Sequence, residues 1–232
     1  LVGSEMCIRD RVSGVLFSDL GNDVICVDKD KKKIDNLKNG IIPIYEPGLT
    51  ELVLKNYKNT RLNFSSDLTE SVKKSDIIFI CVGTPTKKNG SSADLSQVYN
   101  VAKEIRSSIS KFKIIITKST VPVTTGDEIE KILSKKKSRN LFSVVSNPEF
   151  LREGEAINDF VYPDRIIIGT DSKKSNRMLK NLYSPLISKG AKYINTSRRA
   201  AELIKYASNA FLATKITFIN EVANLCEKTG IN

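Results

Sequence analysis

Residues 141–154 read LFSVVSNPEFLREG, and this stretch decides the fold. The first six residues form a strand-like apolar run. Pro148 and Glu149 then open a segment in which Glu149 and Glu153 stand four apart, with Arg152 between them. A helical turn beginning at Glu149 places both carboxylates on one face. A strand followed by a helix start is where open α/β sheets hold their ligands. The same residues also describe an ordinary helix start, with proline near the first position and acids complementing the macrodipole. Spacing alone leaves both readings open.

The alternation repeats outward from this stretch. Short runs rich in valine and isoleucine occur at 23–27 (DVICV), 76–82 (DIIFICV), 113–117 (KIIIT), 141–146 and 165–169 (RIIIG), with a weaker candidate at 191–195. Continuously apolar strands belong to a sheet covered on both faces. Helical patterns lie between them at 12–20, 31–38, 47–56, 67–74, 95–108, 124–136 and 172–182. Gly21 is a C-cap signal, and Thr124 or Thr125 is the expected N-cap of 124–136. This order predicts an α/β fold built on a doubly wound parallel sheet. Residues 199–229 differ, because they contain neither proline nor glycine. Ala207, Phe211, Thr214, Phe218, Val222 and Leu225 form one stripe of a long helix there. Such a helix predicts a connector toward a second domain or a dimer surface.

Composition narrows the function classes. With 40% hydrophobic and 27% charged residues, the chain supports a sizeable core. No run approaches the length of a membrane span, and the N-terminus, which lacks an initiating Met, has no signal-peptide core. Cys7, Cys26, Cys81 and Cys226 are widely spaced, so neither a disulfide framework nor a zinc site is expected and a reducing cytoplasm fits. Cys26 and Cys81 read as buried core thiols. Histidine is absent, which excludes His-based triads and leaves Asp, Glu, Lys, Tyr or water as general base. The net charge of +11 comes largely from lysine, with clusters at 29–33, 87–88 and 135–139. None is interleaved with aromatics. A solvated surface that attracts polyanions such as nucleotides is favoured over nucleic-acid binding.

Asp28 ends the first clear strand. In dinucleotide folds an acid there binds a ribose hydroxyl, about 20 residues after the glycine loop. Counting back reaches residues 3–11, which hold Gly3 alone and no GxGxxG. Residues 1–11 therefore read as a foreign, scar-like segment, with the first strand and phosphate loop missing or overwritten. Residues 81–85 (CVGTP) and 118–120 (KST) end two further strands. Gly83 permits close backbone approach, and Thr84 and Thr120 offer hydroxyls. Small hydroxyl residues at successive strand ends suit a cofactor crevice, and equally suit turn chemistry.

Taken in order, IPIYEPGL (42–49), VGTP (82–85), KSTVPV (118–123), NPEFLREG (147–154), PDRIIIG (163–169) and ELIKYASNAFLATKITFINE (202–221) carry a family resemblance. Over about residues 12–232 the chain resembles the UDP-glucose/GDP-mannose dehydrogenases, a family of nucleotide-sugar dehydrogenases, and the last segment resembles the UDP-glucose branch. The resemblance implies NAD as cofactor, UDP-glucose as substrate, and two successive two-electron oxidations at the sugar C6. It implies that Asp28 and Lys33 contact the adenosine ribose, and Thr84 and Thr120 the cofactor. Glu149, Phe150, Leu151, Arg152 and Glu153 would line the UDP-sugar, with Glu153 also near the nicotinamide. Lys205 and Asn209 would sit at the reacting centre and bind substrate, completing a catalytic set with Thr120, Glu149 and Glu153. It further implies an NAD-binding Rossmann-like domain over 12–198, incomplete at its start, and the beginning of a central helical domain at 199–232. A cytoplasmic homodimer active in polysaccharide biosynthesis, without membrane or nucleic-acid partners, is expected.

The chemistry suits these residue types. Oxidising an alcohol needs a proton acceptor while hydride departs, and without histidine a lysine or a carboxylate-held water must serve. Lys205 and Asn209, four apart on the long helix, face one way and suit a developing alkoxide. Two departures stand out. The family's Gly-rich nucleophilic cysteine motif has no counterpart, since Cys226 lies in ANLCEK on the helix, and the phosphate loop is absent. The chain is accordingly expected to be an inactive N-terminal fragment. A dehydrogenase of GDP-mannose or UDP-N-acetylmannosamine, a non-catalytic nucleotide-sugar-binding module and a basic nucleic-acid binder remain as alternatives.

Overall fold

A computed structural model describes residues 8–42, 46–87, 90, 92–152 and 154–231. The elements run α1 (Ile8–Asp19), β1 (Val24–Val27), α2 (Lys31–Lys38), α3 (Leu49–Lys58), β2 (Leu62–Ser65), α4 (Leu68–Lys74), β3 (Ile77–Ile80), α5 (Ser96–Ser108) and β4 (Lys113–Thr117). They continue with α6 (Thr125–Ser134), β5 (Phe142–Ser146), α7 (Ala156–Val161), β6 (Arg165–Gly169), α8 (Lys173–Leu182), α9 (Ser184–Ile187), β7 (Lys192–Thr196) and α10 (Arg198–Thr229).

The strands at 113–117 explain the layering. Every residue of β4 is buried, and side chains alternate between faces. Ile114 and Ile116 join Phe79, Val145 and the α1 residues Val15, Leu16 and Phe17 on one face. Ile115 joins Ile78, Ile80 and Val144 on the other, against Val98, Val101 and Ile105 of α5 and Ile129 and Leu133 of α6. The sheet is thus covered on both sides, as its unbroken isoleucine runs require. Phe17 anchors the first layer, stacking on Phe79 at 5.3 Å and meeting Phe160 and Tyr183 edge-on at 5.1 and 5.4 Å. Cys81 is a buried thiol and Cys26 a half-buried one.

Among the described residues the strands form a β1-β2 ladder and a β3-β4-β5-β6-β7 ladder. β1 and β2 are parallel, as are β3, β4 and β5. The expected parallel sheet is present, with one antiparallel neighbour at its far side. β6 runs antiparallel to β5 through the single pair Ser146↔Gly169, and β7 runs parallel to β6. A parallel return needs a crossover, usually a full helix. The segment between β5 and β6 holds only the six residues of α7, which packs on α1. β6 therefore overhangs the C-terminal end of β5.

Boundaries also shift. α1 begins at Ile8, so residues 8–11 form its first turn. Of the positions 3–11, where the phosphate loop would be counted, residues 8–11 lie in α1, and residues 1–7 lie outside the described residues. β2 was not anticipated: LNFS is only four residues long, burying Leu62 and Phe64 and exposing Asn63. Lys113 opens β4 with no exposed surface, and its Nζ donates to the carbonyls of Ser75 at 2.5 Å and Lys73 at 3.2 Å. These are orphan carbonyls at the end of α4. Burial lowers the Lys113 pKa.

The long helix is present, capped at Ser197 and closed by the left-handed Gly230. Only its start docks: Ala201, Glu202 and Lys205 are its buried residues. Gly169 makes this possible, since a Cβ there would meet Ala201 Cβ at 2.6 Å and Arg198 Cα at 2.8 Å. Among the described residues no helix is long and apolar enough to cross a membrane.

Candidate active site

Asp28, Thr84, Thr120 and Glu149 each follow the C-terminal end of a parallel strand, β1, β3, β4 and β5 respectively. Asp28 accepts the Asp30 N–H at 3.0 Å, and its other oxygen lies 3.9 Å from Lys33 Nζ. The structure thus brings Asp28 and Lys33 together. It does the same for the two threonines: Thr84 Oγ1 donates to the Thr120 carbonyl at 2.9 Å. Ser119 Oγ donates to the Val82 carbonyl at 2.7 Å. The hydroxyls of Thr84 and Ser119 thus stitch the two strand-end turns together.

The 147–154 stretch corrects the helix-start reading. Residues 147–152 are not helical, and α7 begins only at Ala156, after Gly154 at φ +81°. Asn147 N–H donates to the Thr117 carbonyl at 2.9 Å and so extends the β5 ladder. Pro148 disfavours helical backbone at Asn147. Asn147 Nδ2 donates to the Ile167 carbonyl at 3.0 Å, and its Oδ1 accepts the Tyr183 hydroxyl at 2.5 Å. Tyr183 is buried, which pushes its phenol well above the ordinary range and keeps it a donor. Glu149 lies outside any helix, and Glu153, its expected partner on one face, lies outside the described residues.

A cavity of about 260 Å³ opens beside this loop, lined among others by Lys118, Asn147, Glu149, Arg165 and Tyr183. Glu149 is 8% exposed. Phe150 is half-buried, and its ring lies 5.1 Å from Lys205 Nζ and 4.9 Å from the Arg165 guanidinium. Lys205 is 7% exposed, so the first turns of α10 bring it against the 147–152 loop. Asn209, one turn on, is exposed. Leu151 packs on the core, and Arg152 forks onto Asp159 with contacts of 2.6 and 3.0 Å. That bond lowers the Asp159 pKa.

Several contributors escaped the sequence reading. Lys118 heads KST, is buried, and lies 6.0 Å from the Phe79 ring. Arg165 sits in PDRIIIG. Glu202, buried on α10, accepts the N–H groups of Thr124 and Gly126 at 2.8 Å each. This corrects the capping expectation: Thr124 occupies the N-cap of α6 at φ +81°, but its side chain makes no cap bond. Burial raises the Glu202 pKa although both backbone bonds oppose it. Arg198 binds Asp127 and Glu130, fastening α10 to α6.

A largely parallel sheet, helices on both faces and polar groups at the strand ends define a Rossmann-like dinucleotide-binding protein. The chain belongs to the UDP-glucose/GDP-mannose dehydrogenase family: residues 11–187 match its NAD binding domain and residues 199–232 its central domain. It is 54% identical over 223 residues to UDP-glucose 6-dehydrogenase of Rhizobium meliloti, covering 95% of this chain and 51% of that protein. It is 50% identical over 220 residues to UDP-glucose 6-dehydrogenase TuaD of Bacillus subtilis, covering 94% and 47%. Among solved structures, a UDP-glucose dehydrogenase from Pyrobaculum islandicum superposes with a TM-score of 0.92 at 36% identity, covering 100% of this chain and 54% of that one. GDP-mannose dehydrogenase of Pseudomonas aeruginosa, in a ternary complex, gives the same values. The chain spans about half the length of the curated relatives it matches.

Proposed function

We propose that the protein containing this chain oxidises UDP-glucose at C6 to UDP-glucuronate. One alcohol, one water and two NAD+ give one carboxylate, two NADH and three protons. The observation that supports this most is the meeting of Lys205 and the Glu149–Arg152 loop across the Phe150 ring. NAD-binding family membership and the strand-end polar groups supply the cofactor side.

The residues fit a dinucleotide. Asp28 presents a carboxylate at the end of β1 and would accept the adenosine ribose hydroxyls, with Lys33 beside it. Thr84 and Thr120 would line the crevice between β3 and β4. When bound, NAD+ supplies the hydride acceptor. Glu149 to Glu153 would flank the UDP-sugar, Glu153 facing the nicotinamide as well. Lys205, with Asn209, would stabilise the alkoxide formed as the C6 hydroxyl loses its proton while C6 gives up hydride, and Glu149 would hold the water that receives the proton. In this reading residues 12–198 form the NAD-binding domain and 199–232 begin the central one. The exposed apolar face of α10 supports a homodimer. The cysteine spacing supports a cytoplasmic setting, and a uronate product suits polysaccharide synthesis. A panel of UDP-glucose, GDP-mannose and UDP-N-acetylmannosamine with the full-length protein tests the substrate. NADH formation is expected with UDP-glucose; formation only with another member overturns the assignment.

A further inference from the structure

IPIYEPGL (42–49) is the motif to which the chemistry above gives no part. Its Glu46 is 4% exposed. One carboxylate oxygen accepts the Gly154 N–H at 3.0 Å and the other accepts the Ala156 N–H at 2.7 Å. A helix is ordinarily capped by the residue at its own N-cap. Here Glu155 holds that position and makes no cap bond, so the carboxylate reaches α7 from a segment far away in sequence. Gly48, at φ +80° in the same turn, lies over α7, where an added Cβ would stand 3.8 Å from Ile157 Cδ1.

These bonds complete the fastening of the loop before α7. Asn147 and Tyr183 hold its start, and Asp159 holds Arg152 through backbone and side chain. Glu46 fixes the turn that follows, at the point where Gly154 takes a left-handed backbone. We propose that Glu46 is a positioning residue, clamping the 147–152 loop in the arrangement that receives the sugar nucleotide. This rests on the reading of that loop as the UDP-sugar wall.

The test uses the full-length protein. Glu46→Gln keeps the shape but puts an NH2 group where an acceptor stood, so one backbone N–H loses its partner. Gly154→Ala strains the same turn from the other side without a steric clash, since nothing lies within 4 Å of the added Cβ. Both variants should raise the Kd for UDP-glucose by about tenfold. Glu46→Gln should also speed amide exchange at Gly154 and Ala156, with the Kd for NAD+ held within about twofold as a check on folding. Unchanged UDP-glucose affinity despite faster exchange overturns the clamp's role. A parallel loss of NAD+ affinity in both variants also overturns it, because that is a general fold defect. If the unaltered protein binds NAD+ but no UDP-glucose, the reading of the loop itself fails, and the positioning role with it.

Discussion

Phe150 carries two cations on its ring, Lys205 and Arg165, and this places charge beside the loop proposed to receive the sugar nucleotide. Each such contact is worth about 0.5–2 kcal/mol, enough to hold a lysine side chain that solvent would otherwise disperse. Lys205→Ala in the full-length protein should lower kcat by at least about 100-fold, as for a lost oxyanion donor, with NAD+ affinity little changed. A near-normal rate in steady-state assays would remove Lys205 from the mechanism. At the other end, Asp28→Ala should raise the Kd for NAD+ about tenfold and leave UDP-glucose binding intact, measured by calorimetry. Asp159 offers a pH test. Its hydrogen bond from Arg152 lowers its pKa in the folded state. The stabilisation is therefore present above about pH 4 and is lost as the pH falls through the depressed folded pKa. Thermal midpoints measured downward from pH 5 should fall less steeply for Asp159→Asn than for the unaltered protein; identical slopes would deny the bond any role in stability.

α10 is the element on which the site's geometry depends, and it is held by close approach as much as by charge. Gly169 leaves no room for a side chain against Arg198 and Ala201, and Gly126 leaves none against Arg198. Gly169→Ala should destabilise the protein by about 1–3 kcal/mol and lower the melting temperature by several degrees, measured by calorimetry. An unchanged midpoint would mean that the helix docks elsewhere. β1, β3, β4 and β6 were legible because each carries a run of isoleucine or valine, the pattern of a strand covered on both faces. β2 and α7 were not, since LNFS breaks its apolar residues with polar ones and six residues carry too little helical periodicity. The direction of β6 was hidden because it depends on the connection before it, not on RIIIG itself. The strand-end residues Asp28, Thr84, Thr120 and Glu149 were readable from local motifs. The capping carboxylates Glu46 and Glu202 were not, because each caps a helix start remote from it in sequence. For the same reason NPEFLREG read as a helix start: the residues that keep it extended, Thr117, Ile167 and Tyr183, lie in other elements.

At the scale of the whole molecule, the two halves of the site arise from different layers. The β1–β2 ladder carries Asp28, the β3–β5 strands carry the threonines and Glu149, and α10 contributes Lys205 before leaving the domain surface. Beyond its docked turns α10 exposes Phe211, Leu212, Ile216, Phe218 and Leu225, with Phe218 at 68%. An exposed apolar face of that extent suits either packing against a second domain or the proposed homodimer contact. Phe218→Asp in the full-length protein should convert a dimer to a monomer in light scattering, and an unchanged mass would place the dimer contact elsewhere. The central assignment joins the NAD side to the sugar side through two oxidations, so the stoichiometry of turnover tests it most directly. With limiting UDP-glucose and excess NAD+, the full-length protein should form two NADH for each UDP-glucuronate. One NADH per sugar with release of an aldehyde, or no NADH from UDP-glucose at all, would contradict it.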